Sequence, residues 1–232
     1  MITRLWNVAR VHTVAWPLLL GWPAGVLLVS FLIPFAIFAI IGDTGNDFNF
    51  TGSVSSVFGV SLAFYLAAMT QTFPFALGLS VTRRDYFVAT LGVAATQTVT
   101  FAVALQGLAV LERNTDGFGV HMRMFDIPGI FTSNFLVQFA TYVAFLALVA
   151  ALGLAIGAVH LRWRVTGLYT VAVAALLALG AAALVITWQR WWPAIGSWFV
   201  DVPRVVPMVA LPAGLTVVAV AAAWATLRRA TA

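Results

Sequence analysis

The chain has 232 residues, of which 62% are hydrophobic and only 8% are charged. A soluble globular domain carries about 25% charged residues, so this composition excludes an ordinary water-soluble fold and predicts a membrane protein. The net charge of +5 comes from scattered arginines and no lysine, which indicates membrane topology and argues against binding to nucleic acid.

Residues 1–16 precede the first long apolar run. Apolar side chains recur in them near helical spacing while the charged ones fall elsewhere, which predicts an amphipathic helix at the membrane interface. Trp6 and Trp16 would anchor this helix at headgroup depth. The alternative is a plain topogenic leader, which Arg4 and Arg10 alone would explain.

Six uncharged apolar runs are long enough to cross a bilayer, which takes roughly 20 residues of helix. Lipid offers no partner to an open backbone, and these runs do not alternate as barrel strands do, so we expect an all-α membrane protein with a single transmembrane domain over residues 1–232. The runs are Leu18–Ile41, Val57–Leu79, Val88–Leu111, Phe131–Val159, Val165–Trp188 and Val206–Leu227. The first run exceeds the roughly 7 to 15 residues of a signal peptide's apolar region, so we expect it to be retained. Pro23, Pro34 and Pro74 should kink their helices.

The arginines predict the orientation of the six spans. The loops on one side carry eight arginines and one acid, whereas the opposite loops carry four arginines and six acids. By the positive-inside rule, the arginine-rich side is cytoplasmic, so both ends of the chain should lie inside. The arginines on this side are Arg4, Arg10, Arg83, Arg84, Arg162, Arg164, Arg228 and Arg229.

Residue types that carry chemistry are scarce. No Asp, Glu, Arg or His falls in the middle of a predicted span, which argues against a proton- or ion-coupled carrier. Cysteine is absent, and His12, His121 and His160 lie far apart near membrane edges, so an enzyme with a catalytic or metal centre is the least favoured class. With no lysine, a G-x-x-x-x-G-K-[ST] loop cannot exist, so ATP would have to be bound by another chain.

The short turn between the second and third runs combines charge and aromatic side chains. Thr82 and Asp85 fit a capping box, so a helix should restart at Thr82. Arg83 and Arg84 would project from its first turn with Tyr86 beside them, which gives an exposed knob suited to a partner's groove. The alternative is that the arginines only set topology and that Tyr86 lies in the aromatic belt.

An aromatic segment, residues 190–205, precedes the last run. It is apolar but too short to cross the membrane twice, so it should lie in or dip into the outer leaflet. Trp191, Trp192 and Trp198 would form a lid on that surface, or an ordinary aromatic belt.

A few polar residues lie inside the second and third runs. Counted outward from the turn, Gln71 and Gln97 reach a similar depth, so we expect them to hydrogen-bond across the hairpin at roughly 0.6 kcal/mol. The other interpretation is that Thr70, Gln71 and Gln97 are polar residues of a translocation path.

Two pairs of glycines have the spacing at which helices approach closely. They are Gly21 with Gly25 and Gly153 with Gly157, and each could serve a contact within the chain or between two chains. The first three and last three runs are not similar to each other, so nothing indicates an inverted-repeat transporter.

Together with the segment Phe73–Phe87, these features resemble an ABC-2 type permease, the membrane subunit of bacterial ABC exporters of the bacitracin, lantibiotic and multidrug type. The resemblance implies a multi-pass protein of the bacterial cytoplasmic membrane. It makes residues 1–16 a connecting helix, residues 80–87 a coupling turn and residues 190–205 a re-entrant segment. The residues that would contact the ATPase are Thr82, Arg83, Arg84, Asp85 and Tyr86.

The resemblance also implies partners and no enzymatic activity of the chain itself. Two copies of a separate ABC ATPase would bind ATP and Mg, a second permease copy would complete a homodimer or a related heterodimer, and lipid would surround both. No cofactor is expected on this chain. The alternative is an ATP-independent membrane channel or an assembly or resistance factor, in which the turn is only topogenic. Nothing selects a substrate.

Overall fold

The computed structural model describes residues 17–42 and 49–229, which are almost entirely helical. In chain order the elements are the π-helical turn Pro17–Gly21, α1 (Trp22–Ile41), β1 (Asn49–Phe50), α2 (Ser55–Ala67), the π-helical turn Ala68–Thr72, α3 (Phe73–Gly78), α4 (Arg83–Asn114), the irregular turn Gly117–His121, β2 (Met122–Arg123), α5 (Ile127–Phe131), α6 (Phe135–Trp188), α7 (Trp192–Asp201), the π-helical turn Val206–Ala210 and α8 (Leu211–Leu227). The predicted amphipathic helix, residues 1–16, lies outside the described residues.

Helical segments long and apolar enough to cross a membrane make up most of the described chain. They are Leu19–Ile41, Ser55–Gly78, Arg83–Asn114, Phe135–Trp188 and Val206–Leu227. The prediction of an all-α chain with helices long and apolar enough to cross a membrane is confirmed. All six predicted runs overlap these segments. Two of the runs overlap α6, so the number of spans depends on whether α6 crosses the membrane once or twice.

The chain changes direction within α6. This element has 54 residues, but Arg164 adopts φ 55° and ψ −151°, which no helix contains. Thr141, near the start of α6, and Phe199, in α7, line the same cavity. An unbroken helix would put its last residue about 70 Å from Thr141, while the chain from there to Phe199 reaches at most about 40 Å. The helix is therefore bent at Arg164, and we divide it into a first arm, residues 135–163, and a second arm, residues 165–188.

The first arm packs closely against α2 through small residues. A Cβ at Gly153 would lie 2.7 Å from the α2 backbone, and one at Gly157 would lie 2.5 Å from the Cβ of Met69. This pair therefore serves a contact within the chain, as the spacing allowed. Around Gly21 and Gly25, by contrast, nothing lies within 4 Å in the described part of the chain.

Two clusters of buried side chains hold the bundle, one towards each end. The cluster at the end where α3 meets α4 contains Tyr65, Met69, Phe73, Tyr86, Leu154 and Leu227. The cluster at the other end contains Leu27, Val57, Leu105, Met122, Phe125 and Tyr142. Each cluster joins at least three helices, so both ends of the bundle are fixed.

The three prolines expected to kink helices differ in their surroundings. Pro74 is the second residue of α3, which continues directly from the π-helical turn Ala68–Thr72, so the backbone is irregular there. Pro23 is likewise the second residue of α1, directly after the π-helical turn Pro17–Gly21. Pro34 lies inside α1, which continues as helix to its end.

Candidate functional site

The turn between α3 and α4 has the helix cap that the sequence predicts. The side-chain oxygen of Thr82 accepts a hydrogen bond from the backbone N–H of Asp85 at 3.1 Å. This bond satisfies one of the open donors at the helix start, so α4 begins at Arg83. Thr82 and Arg84 are exposed, and Arg83 and Asp85 are half-buried. The charged part of the turn therefore faces outward.

The expectation that Tyr86 shares this exposed surface is wrong. The Tyr86 side chain is fully buried, its hydroxyl donates to the Ala68 carbonyl at 2.6 Å, and its ring lies edge-on to Phe73. Phe87 is buried against Trp224. A helix that starts at the capped turn rotates by about 100° per residue, so the fourth and fifth helical positions, Tyr86 and Phe87, face the bundle. Tyr86 is therefore a link inside the protein and is not available to a partner.

The link made by Tyr86 ends on an irregular part of the backbone. Ala68 is the first residue of the π-helical turn Ala68–Thr72, which separates α2 from α3. Turns of this kind often lie at functional sites because the regular hydrogen-bond ladder is interrupted there. The first turn of α4 is thus joined directly to the point where the preceding helix is irregular.

The predicted hydrogen bond between Gln71 and Gln97 is wrong. Gln97 is buried, its amide donates to the Leu19 carbonyl, and it accepts from the Tyr65 hydroxyl, so it joins the π-helical turn Pro17–Gly21, α2 and α4. Gln71 is exposed, because the extra residue of the π-helical turn shifts the side-chain register. Thr70 donates to the carbonyl one turn earlier at 2.9 Å. These three residues do not come together as one polar surface.

The aromatic segment forms the helix α7, and its tryptophans are exposed. Trp191, Trp192 and Trp198 are 52%, 54% and 40% exposed, and the indole of Trp192 donates to Thr187 at 3.0 Å. A re-entrant course through the membrane stays a prediction. The end of α7 lines a cavity of about 500 Å³ together with α5 and the first arm.

A buried polar cluster, absent from the sequence predictions, lies at the far end of α4. Glu112 is 2% exposed, and its carboxylate accepts hydrogen bonds from the backbone N–H groups of Met124, Phe125 and Asp126 at 2.8 to 3.0 Å. One side chain therefore anchors the whole loop that follows β2. A buried carboxylate needs such partners, since an isolated charge there would be very costly.

The neighbouring arginine completes this cluster. Arg113 forms a two-point ion pair with Asp126, with N···O distances of 2.6 and 3.0 Å, and also donates to Gln138 at 3.0 Å. Gln138 in turn donates to the Thr132 carbonyl at 2.6 Å. In the sequence, only the adjacent Glu112 and Arg113 at the end of an apolar run could have signalled the cluster. Arg113 is paired with Asp126, and Glu112 is bonded to backbone N–H groups, so the role of the cluster is to hold the loop.

The second arm is the least packed part of the described chain. Between residues 165 and 188 only Gly167 is buried, although the arm is rich in alanine and leucine. In the chain alone, without lipid, Leu176, Leu179 and Leu184 are 70 to 74% exposed. Lipid or another helix must cover this apolar surface.

Among the described residues, no three His, Asp or Glu side chains lie close enough to hold a metal ion. The sequence matches no protein-family model, and neither curated proteins nor solved structures give a match. Any functional assignment must therefore come from the geometry of the chain.

Proposed function

We propose that the chain is the permease subunit of an ATP-driven ABC exporter in the bacterial cytoplasmic membrane. It would form the translocation path as a dimer and couple to two copies of a separate ATP-binding subunit. The observation that carries this proposal is the rigid turn at residues 82–85, which presents arginines outward at the start of a 32-residue helix.

The turn is suited to pass a displacement into the bundle. A contact at Arg83 or Arg84 would push on α4, which is a single continuous helix. Because Tyr86 is bonded to Ala68, the same push would reach the π-helical turn and the short helix α3. Irregular turns can rearrange with less loss of hydrogen bonding than regular helix. ATP-driven closure of the partner would thus tilt two neighbouring helices together.

The membrane topology that goes with this function has six spans, with both ends in the cytoplasm. The break at Arg164 supports it, because the two arms can then cross the membrane separately. The roughly 29 and 24 residues of the arms suit a hydrocarbon core of about 30 Å. The exposed helix α7 would lie at the outer surface, where its tryptophans match the interface.

A second copy would give the exposed apolar surfaces a partner. Helices associate in lipid through small residues, which let their backbones approach. Both the alanine-rich second arm and the side of α1 around Gly21 and Gly25 have such residues without close neighbours in the described chain. These two surfaces support a dimer with the path between its halves.

Co-purification tests the proposal. The tagged chain, extracted in mild detergent, should carry a soluble subunit with a G-x-x-x-x-G-K-[ST] motif in stoichiometric amount, identified by mass spectrometry. Reversing both charges, Arg83→Glu with Arg84→Glu, should release that subunit because like charges would then oppose it. The matched control is Arg190→Glu, an exposed arginine at the other end of the bundle.

The alternative function predicts a different result. An ATP-independent channel would be recovered without such a subunit and would conduct solutes in liposomes that contain no ATP. Recovery of the subunit with the doubly reversed variant would contradict the assignment of residues 82–85 as the contact.

A further inference from the structure

A groove runs between α4 and α8 on the side of the bundle where Arg84 lies. A cavity of about 530 Å³ opens there, lined by Arg84, Val88, Ala221 and Trp224 among others. A second cavity of about 240 Å³ continues it, since the two share three lining residues. Those residues are Leu91, Thr216 and Val220. The two cavities therefore form one groove.

The dimensions of the groove match one leaflet of a bilayer. Beyond Arg84, its lining extends along α4 from Phe87 to Val99, which is about 18 Å of helix at 1.5 Å per residue. Half of the hydrocarbon core is about 15 Å. The lining is apolar along this length except for its arginine and two threonines, so it suits a hydrocarbon chain better than a polar solute.

The mouth of the groove is strongly basic. Arg83 donates to the Arg228 carbonyl at 3.4 Å, so the start of α4 and the end of α8 meet there. Arg228 and Arg229 are exposed beside them. In the described part of the chain, Arg84 forms no ion pair. Four guanidinium groups at the membrane surface attract an anion, and the planar guanidinium binds phosphate through two parallel hydrogen bonds.

We propose that this groove binds one anionic phospholipid, with its phosphate on Arg84 and an acyl chain between α4 and α8. Charge at the mouth and apolar lining along one leaflet are the two features that such a lipid requires together. The site needs only that the chain lies in a membrane. It does not depend on the ATPase, so the two proposals stand or fall separately.

Native mass spectrometry of the purified chain, without any partner subunit, tests the site. Phosphatidylglycerol should bind about fivefold more tightly than phosphatidylethanolamine with the same acyl chains, which is the effect of one basic residue at an anionic lipid surface. Arg84→Gln should weaken phosphatidylglycerol binding and reduce this preference, and Arg190→Gln at the other end of the bundle should leave both unchanged. Equal binding of the two lipids by the wild-type chain would overturn the proposal.

The apolar half of the site is tested by a pair of neighbouring alanines. Ala221 lines the groove and Ala222 does not, and both are exposed, so neither substitution disturbs the core. Ala221→Phe should weaken phosphatidylglycerol binding, and Ala222→Phe should leave it unchanged. Equal effects of the two would overturn the proposal, as would displacement of the lipid by an equal concentration of inorganic phosphate. A dimer that Ala221→Phe dissociates would instead assign the groove to a second copy.

Discussion

Removal of the Glu112 carboxylate should destabilise the end of the bundle that lies opposite the Arg83 turn. Glu112 is 2% exposed and accepts three backbone hydrogen bonds, so Glu112→Ala leaves three donors without their acceptor. Hydrogen bonds to a charged group contribute about 1.5 to 3 kcal/mol each. Water can reach part of the loop after the change, and the carboxylate no longer has to be desolvated. We therefore expect a net loss of about 3 to 5 kcal/mol, the range for a broken buried network.

Equilibrium unfolding in mixed micelles, followed by tryptophan fluorescence, measures this loss. Glu112→Gln keeps one oxygen acceptor and should cost less, about 1 to 3 kcal/mol. Leu111→Ala is the control, because its side chain is 49% exposed beside Glu112 and exposed positions change stability by about 0.5 kcal/mol or less.

The chain's lack of cysteine allows a second readout of the same change. A single cysteine in place of the buried Met124 should react slowly with a maleimide and become reactive when Glu112→Ala is added. If the thiol stays protected and the double variant unfolds like its Leu111→Ala counterpart, the carboxylate does not hold the loop.

The remaining predictions concern the links between helices. Tyr86→Phe removes the bond to Ala68 and should cost about 1 kcal/mol; export should fall while binding of the ATPase subunit is retained, and loss of binding would contradict an internal role. Gly157→Val should lower the free energy of unfolding by about 1 to 3 kcal/mol, because its Cβ would clash with Met69 in the π-helical turn after α2. Gly25→Ala should leave the monomer's stability nearly unchanged, since the space is open. Gln97→Leu should lower the free energy of unfolding by about 1 to 3 kcal/mol in the same assay, because the buried Tyr65 hydroxyl loses its acceptor.

The sequence predicts the apolar helices well because the bilayer imposes their length. The runs from Leu18 to Ile41 and from Val206 to Leu227 correspond closely to the observed segments. Capping is equally local, and Thr82 lies where its spacing to Asp85 indicates. Such features depend on a few neighbouring residues, so no tertiary information is needed.

Features that depend on tertiary structure are the ones that sequence reasoning missed. The outward position of Tyr86 was predicted from its neighbours' charge, but the helix phase set by the cap turns it inward. The position of Gln71 was predicted by counting residues along a regular helix, and the π-helical turn interrupts that regularity. Glu112 reaches a loop more than ten residues away, and no periodicity in the sequence shows that the loop folds back onto it.

The turn inside α6 depends partly on local sequence and partly on tertiary structure. Arg162 and Arg164 were expected in a loop between two spans, and the observed break is reduced to Arg164 alone. The break is confined to one residue, so the two arms follow each other without a long connection. The charge pattern therefore located the turn, while its shortness depends on the backbone conformation of one residue.

The proposal is that energy enters the bundle through residues 82–85 from a separate ATPase. Its most direct test is ATP hydrolysis by the co-purifying subunit, measured with the chain reconstituted in lipid nanodiscs. The wild-type chain and the Arg190→Glu variant should stimulate hydrolysis equally, and Arg83→Glu with Arg84→Glu should reduce the stimulation by about tenfold or more. Equal stimulation by the doubly reversed variant, or none by the wild-type chain, would contradict the claim.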